Sequence, residues 1–556
     1  MPTSTNTSMA TPASSTAVSD ASPLLPPAAD CEEERRSRSS ISTVSPCVQN
    51  VDANNTVAVD CSNVTGRHDN NRSSDKDGDD DDDECSHAPD PAPWRLVGKS
   101  LLHLAVPTSI SFVGYFSVTI IAQIYAGRFG VEVVAGYGLA TMLVNSVAFA
   151  AVTGLCGGLD TLISQAFGKS SSHKMISVFA QRGVLCFQCL MVPMCILFGC
   201  SRWWLSALAF ADEEVVNVTA SLLEILVVML PVWVLSEVFM TTLTAVNATV
   251  EVFIGTIGAA LLHPLTLYLI LDVAGAGFQG LAVGWAITIA MMFVLTCLAS
   301  IYTRSLYIAG FHGWDCREAM RQWRPLLSMC VPAMAIMLCE WSAFEVNVML
   351  SARFLSQEVF AAVVVCQQLY CAMLPIPVAM GYATTVKVGN YIGAKKPETA
   401  RRAAMAGIVI TVTLSAVGAA VLALARTPLS SLFSSHPHVQ QVAVDTLPAA
   451  AVMFVFDASL GAFTAVLRGV GEPGKAALCT TIGWWVIGIP CAILLHYCGP
   501  SSLGAKCFYY GPTIGLLVAC GLTAWLVFCR VEYVENDSVA QHFEDSADDD
   551  CEGVNS

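Results

Sequence analysis

Glu340 and Glu345 stand in the string Met337-Leu338-Cys339-Glu340-Trp341-Ser342-Ala343-Phe344-Glu345-Val346, which otherwise reads as a membrane helix. A carboxylate in the hydrocarbon layer costs about 2.5–3.5 kcal/mol by insertion scales. Two in one helix point to a buried polar cavity that handles a cation or a proton. When a proton and a cation compete for one carboxylate, the minimal physics of antiport is present. Five residues is about 140° around a helix, so the two acids cannot share one narrow face. One can face the cavity while the other anchors a neighbouring helix.

Other intramembrane acids join them. Asp457, in Phe454-Val455-Phe456-Asp457-Ala458, lies deep in the tenth apolar segment. With Glu340 it would form one acidic patch in the second half of the chain. Glu237 either adds a second acidic locus in the first half or lies near a helix end. Asp160 falls at the end of the second segment with Gln165 and Lys169 close behind, a placement that favours bracing a loop. Arg468 is expected to cap a helix end. The aromatic residues Trp341, Phe344, Trp233 and Tyr370 can stack on a cation, or can simply pack.

The elements that must hold these groups are membrane helices. Of the 556 residues, 54% are hydrophobic and 13% charged, with mean hydropathy +0.59; soluble domains carry about 25% charged residues. The net charge of −16 belongs to the tails. Residues 1–92 hold 6 Lys/Arg against 17 Asp/Glu, and residues 531–556 hold none against 9. The middle holds 22 against 18, so the acidity says nothing of the substrate and argues against a nucleic-acid partner. The polar tails, 1–93 and 531–556, read as disordered. The polar first 90 residues lead to the expectation of no cleavable signal peptide. The 22 Cys show no metal-ligand spacing, and neither a metal nor an organic cofactor is expected.

Twelve apolar segments are long enough to span. They run near 101–125, 133–159, 178–200, 217–246, 251–272, 278–303, 325–350, 358–386, 403–425, 438–468, 475–497 and 507–529. With both termini in the cytosol, seventeen Lys and Arg fall on cytosolic flanks and five fall opposite (Arg128, Arg202, Arg353, Arg426 and Lys506). Prolines within spans, Pro231, Pro332, Pro375, Pro377 and Pro448, should kink their helices.

The chain also repeats. A shift of 225 places Val106-Pro107 on Val331-Pro332, and Ser164-Gln165-Ala166-Phe167-Gly168 on Gly389-Asn390-Tyr391-Ile392-Gly393. A shift of 220 places Ala245-Val246 on Ala465-Val466 and Glu237 on Asp457. Six helices plus six, each half entering from the cytosol, give parallel repeats with a site between or within them. The expected fold is an all-α membrane protein of two pseudo-symmetric six-helix lobes, 94–310 and 325–530, joined by a cytosolic linker, 311–324.

Four strings resemble the multidrug and toxic compound extrusion (MATE) family of eukaryotes. Leu159-Asp160-Thr161-Leu162-Ile163-Ser164-Gln165-Ala166-Phe167-Gly168 is similar to its LDTLxSQAFG signature, and Val386-Lys387-Val388-Gly389-Asn390-Tyr391-Ile392-Gly393-Ala394 to VRVGNxLGA. Val466-Leu467-Arg468-Gly469-Val470-Gly471 resembles VLRGxG, and Cys339-Glu340-Trp341 with Glu345 resembles CxEWWxxE. The strings stand in the family's order and spacing across residues 95–530.

The resemblance implies two lobes around a V-shaped cavity and electrochemical antiport of organic cations, other xenobiotics or metabolites. The coupling ion is expected to be the proton, with Na⁺ as the alternative. Glu340 and Glu345 match the family's seventh-helix acids, and Asp457 matches its tenth-helix acid. A further acid of the eighth helix is replaced here by Gln368, beside Gln367, while Glu237 matches no family acid. Trp341, Gln368, Tyr370 and Trp233 are candidate cavity-lining residues, and Asp160, Gln165, Asn390 and Arg468 structural or gating ones. A monomer among membrane lipids is expected, in the plasma membrane or a vacuolar or endolysosomal membrane; Asp20-Ala21-Ser22-Pro23-Leu24-Leu25 has the acidic dileucine form. Rival readings are a lipid or oligosaccharide-lipid flippase, disfavoured by the acidic spans, and a sensor without transport, disfavoured by the duplication. No phosphate-binding glycine loop appears, so ATP is not the expected energy source.

Overall fold

A computed structural model describes residues 91–534, apart from 170–172, 209–211, 309, 311–312 and 434–435. Residues 1–90 and 535–556 of the acidic tails, with the dileucine string, lie outside the described residues. A backbone in lipid must satisfy its own polar groups, and this chain does so with helices alone among the described residues. The spans are α1 Trp94–Phe129, α2 Val131–Gly168, α3 Lys174–Gly199, α5 Thr249–Val273, α6 Gly280–Thr303 and α7 Trp323–Phe354. They continue with α8 Gln357–Gly393, α9 Pro397–Leu424, α10 Pro437–Gly469, α11 Pro473–Cys498 and α12 Leu503–Cys529. The remaining span, α4, is a pair, Glu213–Leu226 and Met229–Ala245, bent by 55°. Pro231 explains the bend: its ring opposes the carbonyl four residues back, at Val227, within the break. All twelve expected spans are present.

The expected ends of α2 and α8 were too short. Asp160, Ser164 and Gln165 continue α2, as Lys387 and Asn390 continue α8, and all five are buried. Their polarity marks the seam between lobes and not the edge of a span.

That seam is reciprocal. A methyl group at Gly168 would overlap the Asn390 carbonyl oxygen, and one at Gly393 would overlap that of Gln165. Gln165 and Asn390, like Gly168 and Gly393, are repeat partners, so the contact is the same contact made twice across a pseudo-twofold axis. Gln165 Nε2 donates to Gly469 O at 3.1 Å, at the end of α10. Asn390 Nδ2 donates to Asn247 Oδ1 at 3.4 Å, at the end of α4.

Two helices cross between lobes. The first half of α1, with Val97, Leu101 and Ala105, packs in a core with Met380, Ala403 and Val466 of the C-terminal lobe. The first half of α7, with Leu326, Met329 and Cys330, packs with Leu159, Phe179 and Val238 of the N-terminal lobe. Beyond Pro107 and Pro332, the same helices also engage their own lobes through Tyr115 and Ala343, while Met334, Leu338 and Trp341 of α7 still pack on the N-terminal lobe. The outer cores of the two lobes are separate clusters. The lobes therefore join at the end bearing Gly168 and Gly393 and part toward the other, which gives a V-shaped cavity.

At the joined end, Arg182 of α3 is buried. Its Nε donates to Glu318 O at 3.0 Å and its Nη1 to Gln322 Oε1 at 3.1 Å, which fastens the inter-lobe linker.

Gly168→Ala would push the Asn390 carbonyl aside, at an overpacking cost of about 1–3 kcal/mol. The purified variant should melt lower, and Cys330, fully buried under α2, should become reactive to N-ethylmaleimide in the folded protein, read by peptide mass spectrometry. An unreactive Cys330 with unchanged melting would show that the seam accepts the methyl group.

Candidate functional site

In the C-terminal lobe, α7 and α10 bring Glu340 and Asp457 within electrostatic reach of one another. Asp457 is buried and accepts a hydrogen bond from Tyr370 Oη of α8 at 2.7 Å. Its other oxygen has no partner among the described residues. The backbone of α7 beside Glu340 is fixed from α11: Trp485 Nε1 donates to Cys339 O at 3.0 Å, and Cys339 Sγ meets Thr481 Oγ1 at 3.2 Å.

Glu345 stands about 140° around α7 from Glu340. It lies beside Ser146 of α2, on the far side of the lobe interface. Trp341 also reaches across. Its ring centroid is 5.2 Å from that of Phe149, which lies 5.4 Å from Tyr115 and 5.6 Å from Trp233. Phe149 closes a π-helical turn over Val144–Phe149 of α2. An aromatic pair of this kind adds about 0.5–1.5 kcal/mol beyond its buried area.

The remaining candidates divide. Trp233 and Tyr370 are fully buried and do not line an open cavity; Trp233 packs in the N-terminal core. Gln368 is exposed, while its neighbour Gln367 turns inward and donates to Cys371 Sγ at 3.6 Å. Asp160, expected to brace a loop, lies within α2. It is 1% exposed, and neither carboxyl oxygen has a hydrogen-bond partner among the described residues. Its repeat counterpart, Thr385, is satisfied by Ala465 O of α10 at 2.9 Å.

Arg468 caps no helix with its side chain. It is 7% exposed and turns inward at the seam, its guanidinium 5.6 Å from the Tyr382 ring centre and against Gly157. Its charge acts on both Asp160 of one lobe and Glu340 of the other. Its backbone carbonyl accepts from Thr161 Oγ1 at 2.9 Å.

A cavity of about 90 Å³ opens in the N-terminal lobe. Its walls include Ser111, Tyr115, Phe149, Asp160, Glu237 and Tyr382. Tyr115 and Tyr382 are wall residues beyond those expected from the sequence. The repeat held the signal for one of them: Tyr115 falls on Glu340 at the 225-residue shift. Nothing in the sequence marked Tyr382, which enters from α8 of the opposite lobe.

Residues 107–269 and 332–494 match the family model described as MatE. The two matches cover more than half of the chain. The chain belongs to the MatE family. This MatE chain is 28% identical over 429 residues to Multidrug and toxin extrusion protein 1 of Xenopus tropicalis, covering 76% of this chain and 72% of that protein. It is 26% identical over 436 residues to the Homo sapiens protein of the same name, covering 78% and 72%. Its fold resembles the crystal structure of the eukaryotic MATE transporter AtDTX14, with TM-score 0.74, 21% identity, and coverage of 81% of this chain and 98% of that one. It also resembles a MOP superfamily transporter from Pyrococcus furiosus, with TM-score 0.70, 17% identity, and coverage of 78% and 96%.

Tyr370→Phe would leave Asp457 without its donor. Loss of a hydrogen bond to a buried group costs about 1–3 kcal/mol, so the purified variant should melt lower. In an Asp457→Asn background the same substitution should cost less. Equal costs in both backgrounds would detach Tyr370 from Asp457.

Proposed function

We propose that the protein is a proton-driven antiporter that exports organic cations, with Glu340 and Asp457 as its proton switch. The observation that carries this reading is one shared electrostatic site, built from two acids on two helices in the middle of a membrane lobe, with Tyr370 orienting one of them. The names of its relatives, multidrug and toxin extrusion proteins, support the direction and class of transport. Proton entry from the open side neutralises the pair and releases the cation. Proton loss toward the closed side restores the charge and reloads the site. The closed side faces the cytosol in this reading, because the basic flanks gather there. Gln165 and Asn390 then hold the cytosolic gate shut, and Arg468 supplies the positive charge behind it.

The test uses proteoliposomes with an imposed pH gradient and a fluorescent organic cation. Wild-type protein should drive efflux, and Glu340→Gln should abolish it while the variant remains folded. A sodium gradient of the same size, at uniform pH, should drive little. Retained pH-driven efflux in Glu340→Gln would remove the proton assignment, and efflux driven by sodium alone would make sodium the coupling ion.

A further inference from the structure

The described residues begin and end beside the start of α9. Arg402 Nη1 donates to the carbonyls of Pro91 at 3.0 Å and Ala92 at 2.9 Å, and its guanidinium lies 5.8 Å from the centre of the Trp94 ring. Ala92 N donates in turn to Thr399 Oγ1 at 3.4 Å. The neighbouring Arg401 acts on Tyr533, just beyond α12. Ala92, Val531 and Tyr533 pack on one core with Val97 of α1 and with Ala400 and Ala403 of α9. Two adjacent arginines thus mark where each tail leaves the fold.

The same corner carries cations that the fold does not neutralise. Arg95 and Lys99 of α1, Lys395 and Lys396 of the α8–α9 turn, and Arg401 are exposed. None of these five forms an ion pair among the described residues. The acids on the same elements are Glu398 and Glu532, both exposed, so positive charge is in excess. One exposed cation is satisfied by water, but several around one corner raise a local potential that attracts an anion. Lys395 and Lys396 follow closely on Gly393, where α8 meets the Gln165 carbonyl, so the corner adjoins the seam.

The chain that enters this corner is its electrostatic complement. Asp79-Asp80-Asp81-Asp82-Asp83-Glu84 is a run of six acids, and it ends seven residues before Pro91. Seven residues reach at most about 25 Å. Ala92 is one hydrogen bond from Thr399; Lys396 lies three residues before Thr399, and Lys99 seven residues after Ala92. Linkers this short hold a segment at an effective concentration on the order of millimolar. The rival occupant is anionic lipid, whose head groups are drawn to cations beside a membrane helix by about 1 kcal/mol each. The tether favours the acidic run over lipid, and continuity favours it over the C-terminal acids. There the first three consecutive acids, Asp548-Asp549-Asp550, begin fourteen residues after Val534.

We propose that residues 79–84 dock on Arg95, Lys99, Lys395, Lys396 and Arg401, as an intrachain ligand that holds this basic face against anionic lipid and lies beside the seam. The assignment goes beyond the transport reading and needs neither its substrate nor its coupling ion.

The test is zero-length carbodiimide cross-linking of the purified full-length protein in phosphatidylcholine nanodiscs, read by peptide mass spectrometry. The reagent joins a carboxylate to an amine only where the two touch. Peptides linking residues 79–84 to Lys99, Lys395 or Lys396 should dominate over those linking the same run to Lys174, exposed at the start of α3 in the other lobe. At about 1 M salt, where the screening length falls to about 3 Å, their yield should drop about fivefold. Arg95→Gln combined with Arg401→Gln leaves every lysine in place and should lower the yield about threefold by weakening the local potential. Replacing part of the phosphatidylcholine by phosphatidylserine should leave the cross-links in place. Equal cross-linking to Lys174 overturns the proposal, as does a yield that neither salt nor the paired arginine substitutions move. Dominant cross-links from residues 548–550 would give the face to the C-terminal tail, and loss of the cross-links with phosphatidylserine would give it to lipid; either result overturns the assignment.

Discussion

At the joined end of the molecule, α2 and α8 approach so closely that their backbones touch. Gly168 and Gly393 permit this, and the contact is made twice because the chain is two copies of one unit. The approach brings Thr161 and Gln165 within reach of the α10 backbone, where they satisfy carbonyls that end a helix in the protein interior. It also sets Arg468 of one lobe against Gly157 and Tyr382, and so beside Asp160 of the other. Without that seam the charges of the two lobes would be separate systems.

The acids are consequently not independent. Glu340 and Asp457 share one lobe, Asp160 and Glu237 the other, and one guanidinium stands between them. A bundle with acids and no such cation would gather repulsion as charge accumulated. Here the counter-charge is fixed at the seam, where it disturbs neither the hydrogen bond of Asp457 nor the aromatic contact of Trp341 with Phe149.

Much of this was legible in the sequence. Twelve spans and the repeat follow from hydropathy and register, whereas the pairing of Glu340 with Asp457 is what the family resemblance implies. The failures have physical causes. Hydropathy ends a helix where polar residues begin, so α2 and α8 were cut short at Asp160 and Lys387, although both helices run on through a buried seam. Asp160 was read by its nearness to that false end. Gln368 was favoured over Gln367 because one sequence does not say which of two adjacent positions turns inward; they differ by about 100° around the helix. The N-terminal cavity was not visible because its walls come from helices far apart in the chain, one of them in the other lobe. Arg182 counted toward topology as a flanking charge, yet it is buried and tied to the linker.

The exchange of half-helices between lobes constrains how the molecule can move. The first half of α1 belongs to the C-terminal core and its second half to the N-terminal core, while α7 does the reverse. Pro107 and Pro332, repeat-related residues in repeat-related helices, lie where each helix begins to engage its own lobe, while one face of α7 stays on the N-terminal lobe as far as Met334, Leu338 and Trp341. Proline lacks the N–H that would pair with the carbonyl four residues back, so the ladder is already open opposite His103 and Ser328. If one lobe tilts, each crossing helix must either peel half its length from a core or flex where that ladder is open. Flexing sacrifices no further backbone bond. The two lobes are thus strapped together by a matched pair of leaf springs, anchored in opposite bodies, which resist separation while yielding to rotation.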